Sequence, residues 1–289
     1  MKETSIDFLK KNGIKFENEI DLKGGISNSN YLLDFKYVLK EPFETKYSRV
    51  QDDTIEFENR LALHFISPKA ICYDKEKGLI LTEYLKDFKP IDVKTVNLKQ
   101  IKNIVKNLKI IHNVKLDNLH TLNYEELLDY YRLQLPSEDR IYFSELEDSN
   151  VFLGDYEPSH FDLVANNILS SKDYEIKLID FEFACKAPLN FDLVSLLGEN
   201  DFSHETKLII IDLYFGKNVD KKEKFIANYD ELLAIADLLW YHWAMARSLN
   251  CSKDRKKVFK AIAKEKRTRL FSYISMMNLK KIVKKDDRI

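Results

Sequence analysis

His160-Phe161-Asp162-Leu163-Val164-Ala165-Asn166-Asn167-Ile168-Leu169 is followed by a polar turn at Ser170-Ser171-Lys172-Asp173 and then by Ile176-Lys177-Leu178-Ile179-Asp180-Phe181-Glu182. Short apolar runs on either side of such a turn predict a hairpin. The second strand delivers Asp180 at its end, where a rigid scaffold can present a carboxylate. Asp162 and Asn167 fall in a short loop on the other side of the hairpin. His160 is expected to be structural, tying that loop in place rather than acting as an acid or base.

Upstream, residues 4–12 predict a short helix ending at Gly13. Ile20 to Leu22 leads into the glycine-led stretch Gly24-Gly25-Ile26-Ser27-Asn28-Ser29-Asn30, followed by Tyr31-Leu32-Leu33. Tyr37-Val38-Leu39-Lys40 is the next strand, closed by Pro42, so the glycine turn belongs to a hairpin ahead of Lys40. A helix over Ile55 to Phe65 stops at Pro68, and a second hairpin pairs 70–73 with 79–85 around a turn ending in Gly78. Residues 1–86 are therefore expected to form a small, mostly antiparallel sheet with one helix over it.

Beyond residue 86 the pattern changes. From Leu98, Ile101, Ile104, Val105, Leu108 and Ile111 repeat at helical spacing. Asn123 starts a helix that runs toward Pro136, and further helices are expected at 138–147, 190–198, 205–215, 222–249 and 253–279. The fold class is α+β in two lobes, an N-terminal lobe of 1–86 and a larger, mainly helical C-terminal lobe of 87–289.

Composition excludes several classes. The 289 residues carry 46 Lys+Arg against 47 Asp+Glu, with 45% hydrophobic content, so the chain is neither disordered nor globally basic enough to imply nucleic acid. Cys72, Cys185 and Cys251 have no paired spacing and predict reduced thiols, and six scattered histidines offer no zinc site. Acids in the first residues and the lack of a long apolar run predict a cytoplasmic protein without stable membrane insertion.

Phosphoryl transfer needs few groups: a carboxylate for the acceptor hydroxyl, hard oxygens for Mg²⁺, a cation on the nucleotide phosphates and a loop over them. Asp162 suits the first role, Asn167 and Asp180 the second, and Lys40 the third, with the 24–30 turn as the cover. A carboxylate of the following helix, Glu58 or Glu56, could hold Lys40 by an ion pair.

From the glycine-led loop to about residue 247 the chain resembles the choline/ethanolamine kinases of the aminoglycoside phosphotransferase and choline kinase superfamily. The carriers are His160-x-Asp162-x-x-x-x-Asn167, Ile179-Asp180-Phe181-Glu182, Leu108 to His112 before the catalytic loop, and Thr82-Glu83-Tyr84-Leu85 at the hinge. The resemblance implies a two-lobed protein-kinase-like fold with ATP and Mg²⁺ as cofactors. Asp162 would be the catalytic residue, with Asn167 and Asp180 on the metal. Gly25, Ser27, Asn28, Lys40, Glu58, Glu83 and Leu85 would lie on the nucleotide side. The nucleotide loop lacks the full Gly-x-Gly-x-x-Gly of protein kinases.

The same resemblance points to the acceptor. Asp192 opens a helix in these kinases, and an acid seven positions on, here Glu199, lines the choline site. The only two tryptophans, Trp240 and Trp243, stand at i, i+3 as the family's aromatic wall does. A quaternary ammonium has no hydrogen-bond donor and is recognised by aromatic faces and a nearby carboxylate. A small amino alcohol, choline before ethanolamine, is therefore the expected partner. Thiamine, homoserine and aminoglycoside kinases, and a nucleotide-binding pseudo-kinase, remain open. Residues 253–289 sum to +10, which packed helices with lysine-rich outer faces explain as well as an anionic partner does.

Overall fold

Leu39 and Leu81 are paired across two strands and fully buried on one sheet face, whereas their neighbours Lys40 and Ile80, also paired, point to the other. That alternation positions the whole N-terminal region. In the computed structural model, which describes residues 1–23, 25–249 and 251–286 with side chains to residue 277, the chain opens with α1 (Glu3–Lys11). There follow β1 (Glu19–Leu22), β2 (Asn28–Leu33), β3 (Tyr37–Pro42), α2 (Asp52–Leu63), β4 (Ala70–Asp74) and β5 (Leu79–Glu83). The five strands form one antiparallel sheet in the order β1-β2-β3-β5-β4. Phe8 and Leu9 of α1 pack with Leu33, Leu39, Leu79 and Leu81 on one side. Ile55 of α2 packs with Val50, Ala70 and Ile80 on the other, the side that carries Lys40. Gly24 of the predicted turn and the side chains of the basic residues from Lys280 onward lie outside the described residues.

The expected first hairpin is a three-stranded meander. Its second turn uses Asp34 and Phe35, both at positive φ (49° and 54°), closed by Lys36 N–H on Leu33 O at 2.9 Å. No glycine marks it. Asp34 is anchored there because its carboxylate accepts the backbone N–H groups of Glu17 and Asn18.

The remaining elements are β6 (Lys89–Pro90), α3 (Leu98–Ile111), α4 (Tyr124–Arg132), α5 (Ser144–Glu147), β7 (Tyr156–Ser159), β8 (Ile168–Ser170), β9 (Ile176–Leu178) and β10 (Cys185–Pro188). The chain continues through α6 (Phe191–Gly198), α7 (His204–Phe215), α8 (Val219–Leu249) and α9 (Lys253–Asp286). β6, β8 and β9 form a small sheet and β7 pairs with β10. The architecture is the two-lobed α+β fold expected, with a small N-terminal sheet and a larger helical part. The helix expected over 138–147 is a correction: only a 3₁₀ turn at Ser137–Asp139 and the four residues of α5 are helical. Between them the backbone is diverted, because Ile141 N–H donates to His242 Nε2 at 3.1 Å and Arg140 reaches back to Leu135 O.

The chain packs as two compact units, drawn along a different line from the lobes. One comprises 1–121, 156–187 and 191–217, and the other 122–155, 188–190 and 218–289. The first holds the five-stranded and three-stranded sheets, the β7–β10 pair up to Ala187, and α1–α3, α6 and α7. The second is helical: Tyr124 OH donates to Ile235 O at 2.8 Å, and Asp237 on α8, 1% exposed, is ion-paired by Arg269 of α9. Arg132 bridges Asp129 and Glu147 in the same unit. Among the described residues no helix is long and apolar enough to cross a membrane.

Candidate active site

Asp192 explains why the 160–163 loop has one shape. Its carboxylate is completely buried at the start of α6 and accepts the backbone N–H groups of His160 (2.8 Å) and Phe161 (2.7 Å). One turn later Ser195 Oγ accepts Leu163 N–H, and Asn200 Nδ2 donates to Leu163 O. Phe161, at φ 71°, stacks on Phe191 with centroids 4.6 Å apart. His112, at the C-terminal cap of α3, lies with Nε2 3.2 Å from Asp192 and Nδ1 2.6 Å from the Tyr214 hydroxyl.

The other side of the hairpin is locked to the same loop. His160 Nε2–H donates to Ile179 O at 2.9 Å, and Ile179 N–H donates to Asn167 O at 3.0 Å. His160 is fully buried, and that burial holds its pKa below the usual imidazole range, as a structural histidine requires. Immediately after, Asp180 adopts a left-handed conformation (φ 72°, ψ 57°), one that Asp tolerates better than most residues. The turn re-aims the chain so that the Asp180 carboxylate meets Lys40 from β3.

Asn167 orients Asp162. Its Nδ2 donates to both the Asp162 carbonyl (2.9 Å) and the Asp162 Oδ2 (3.1 Å), while its Oδ1 has no partner among the described residues. Burial, then the carboxylates of Asp180, Glu182 and Glu199, push Asp162 up to about 7, with the Asn167 hydrogen bond pulling the other way. Glu199, one residue past α6, is thus part of the electrostatic surroundings of Asp162.

Lys40 is ion-paired with Asp180 and, at 3.3 Å, with Glu182. Burial alone would lower its pKa, but the two carboxylates overcome that and hold it well above the usual lysine range. The expected partner on α2 is not the one found. Glu56 instead accepts Asn118 Nδ2 at 2.6 Å. Glu58 is 4% exposed, and burial pushes it up to about 8, with Lys40 lowering and Asp180 raising it. Glu182 went unassigned in the sequence, although its place two residues after a strand-borne Asp180 is the signal that could have found it.

At the turn before β2, a Cβ on Gly25 would sit 2.1 Å from the Asn28 carbonyl oxygen, so only glycine fits. Ser27 O accepts Phe43 N–H, and Asn28 is buried at the start of β2. Glu83 ends β5 with its N–H on Lys69 O, and Leu85 O accepts Phe88 N–H at 3.3 Å. Trp240 and Trp243 lie in the helical unit on α8. Their rings meet edge to face at 5.7 Å, Trp240 is 7% exposed, and Trp243 packs edge to face on Phe259 of α9.

Among the described residues no group of three His, Cys, Asp or Glu side chains is set to hold a metal. Asn167 Oδ1 with Asp180 is a two-oxygen donor set. It suits a hard cation that takes one or two protein oxygens and completes its shell with water and phosphate.

The raised Asp162 has a consequence for stability. A carboxyl titrating near 7 in the folded state and near the ordinary 3.8 when unfolded keeps its proton longer when folded. The native state then loses ground as pH rises from about 4 to about 7. Asp162→Asn should therefore raise Tm in the absence of ligands, by a margin that grows over that interval to about 2–6 °C and then levels off. A pH-independent change in differential scanning calorimetry would contradict it.

Comparison with known proteins places this geometry. The profile described as the phosphotransferase enzyme family matches residues 20–217. A protein LicA homolog of Mycoplasma capricolum is 27% identical over 221 residues, covering 74% of this chain and 87% of its own length. The crystal structure of the choline kinase LicA from Streptococcus pneumoniae superposes with a TM-score of 0.72 at 18% identity, over 94% of this chain and 98% of that one. The gentamicin complex of APH(2″)-IIa gives 0.65 at 18% identity, over 94% and 96%.

Proposed function

Since the chain belongs to the phosphotransferase enzyme family, we propose that it transfers the terminal phosphoryl group of ATP to the hydroxyl of a small amino alcohol, choline by preference, giving phosphocholine and ADP. The observation that carries the proposal is the Asp162 carboxylate, oriented by Asn167 and set among Asp180, Glu182 and Glu199.

Each group has a part. Ionised Asp162 orients the acceptor hydroxyl and accepts its proton as the oxygen–phosphorus bond forms. Lys40, now on Asp180 and Glu182, supplies the cation for the nucleotide phosphates. Asn167 Oδ1 and Asp180 would hold Mg²⁺, which when bound neutralises charge on the phosphates. Gly25, Ser27 and Asn28 are assigned to the nucleotide loop, and Glu83 and Leu85 to the adenine side. Glu58 is assigned a supporting position behind Lys40. Glu199 is assigned to the acceptor ammonium.

Choline rests on two supports: the Glu199 carboxylate beside Asp162, and the resemblance that makes Trp240 and Trp243 an aromatic wall. Among the relatives, the Streptococcus pneumoniae protein is named a choline kinase. The deciding experiment measures Mg²⁺-dependent ADP release with choline, ethanolamine, thiamine and an aminoglycoside side by side. Choline should give the highest kcat/KM. Release with the aminoglycoside alone would replace the acceptor, and none with any alcohol would make the protein a nucleotide-binding pseudo-kinase. Trp243→Ala should raise KM for choline by about tenfold or more while KM for ATP holds. A lower Tm with both KM values unchanged would leave the pair as packing against Phe259.

A further inference from the structure

Away from the hairpin, the same compact unit contains a cavity of about 760 Å³ walled by the end of α2, one face of α3 and the segment after it. Arg60, His64, Lys102, Lys106, Lys109 and Lys115 line it, and no acidic side chain does. Val105 and Val114, both buried, form an apolar floor.

We propose that this cavity is a binding site for a small molecule carrying two or more phosphate groups. The proposal is independent of which alcohol the enzyme phosphorylates.

Three observations carry it. First, the charge is local: the chain as a whole sums to −1, yet α3 carries Lys99, Lys102, Lys106 and Lys109 and no acid at all. Lys102 and Lys106 stand one turn apart, where like charges destabilise a helix. Second, helix-end electrostatics explains only part of it. Arg60 and Lys109 lie in the last turns of their helices, where a cation favours the exposed carbonyls. Lys102 and Lys106 are mid-helix, and Lys115 follows the helix. Third, none of these five Lys and Arg side chains is ion-paired among the described residues. Lys109 alone is engaged, donating to Leu213 O at 2.8 Å.

A concave site with this lining selects its ligand. One phosphate would engage only two or three of cations spread along two helices, whereas linked phosphates can engage them together. The valine floor offers contact to an organic portion. The lysines are exposed and rim the depression over the buried Val105 and Val114, and competition with vesicles separates a bound polyphosphate from a membrane surface.

Sodium tripolyphosphate is the probe, titrated without divalent cation into the full-length Lys40→Ala protein, so that the cation assigned to ATP is absent. One equivalent should bind. Adding Lys102→Glu and Lys106→Glu should weaken binding at least tenfold, and circular dichroism checks that the fold persists. Should charge reversal unfold α3, Lys102→Gln with Lys106→Gln should still weaken binding several-fold. Affinity unchanged by either pair would overturn the site. So would failure of tripolyphosphate to bind, or its displacement by phosphatidylglycerol vesicles that bind more tightly, which would make the region a membrane face.

Discussion

Asp162→Ala is expected to lower kcat by about 10²- to 10⁴-fold while the affinity for nucleotide stays within about threefold of the parent protein. The expectation follows from where the residue sits. Asn167 Nδ2 fixes Oδ2, whereas Lys40 is held separately by Asp180 and Glu182. In the proposed mechanism, removing Asp162 takes away the acceptor-side base without touching the cation. Asp162→Asn separates the two things a carboxylate does: it keeps the size and some hydrogen bonding but cannot take a proton, and should lose nearly as much. ADP release at saturating substrates gives kcat, and calorimetric titration with a non-hydrolysable nucleotide gives the affinity. A kcat within tenfold of the parent would remove Asp162 from the chemistry.

Asp192→Ala is expected to be the most destabilising single substitution in the loop region, by about 3–5 kcal/mol, or a fall in Tm of roughly 6–15 °C. The carboxylate is 0% exposed and satisfies two backbone N–H groups, those of His160 and Phe161. Alanine would strand both in the interior, and each buried donor left unpaired costs about 1–3 kcal/mol. Asp192→Asn keeps one acceptor oxygen and should fall between. The same change should reduce kcat, because the 160–163 loop would no longer hold Asp162 against Asn167. A Tm loss under about 2 °C in thermal denaturation would show that water or Ser195 takes over the amides.

α3 was legible to within a few residues because its apolar residues repeat at helical spacing over several turns, and the ranges expected for α1, α7 and α8 also fall within a few residues of the observed ones. That Asp162, Asn167, Asp180 and Lys40 belong together was legible from their residue types and spacings, and the structure brings them together. What stayed hidden depended on backbone geometry. The turn at Asp34-Phe35 carries no glycine, and Asp180 and Phe161 take positive φ for reasons of tertiary anchoring. The partner of Lys40 also depended on that turn, since the left-handed Asp180 brings the hairpin acids to β3 ahead of α2. The 138–147 segment failed as a helix because His242, a hundred residues away in sequence, captures Ile141 N–H. No local pattern contains such a contact.

Around the 160–163 loop, the carboxylates of Asp180, Glu182 and Glu199 act on Asp162, and Lys40 pairs with Asp180 and Glu182. In the proposed function that cluster of carboxylates is what an approaching acceptor meets, and the reach of its charge is the Debye length, about 8 Å in physiological salt. A positively charged acceptor of the proposed kind would be drawn toward the loop before any contact forms, and a neutral one would not. Encounter rates for the two kinds of acceptor would then diverge in dilute buffer and converge as salt is added, so that apparent selectivity would be partly a property of the ionic strength.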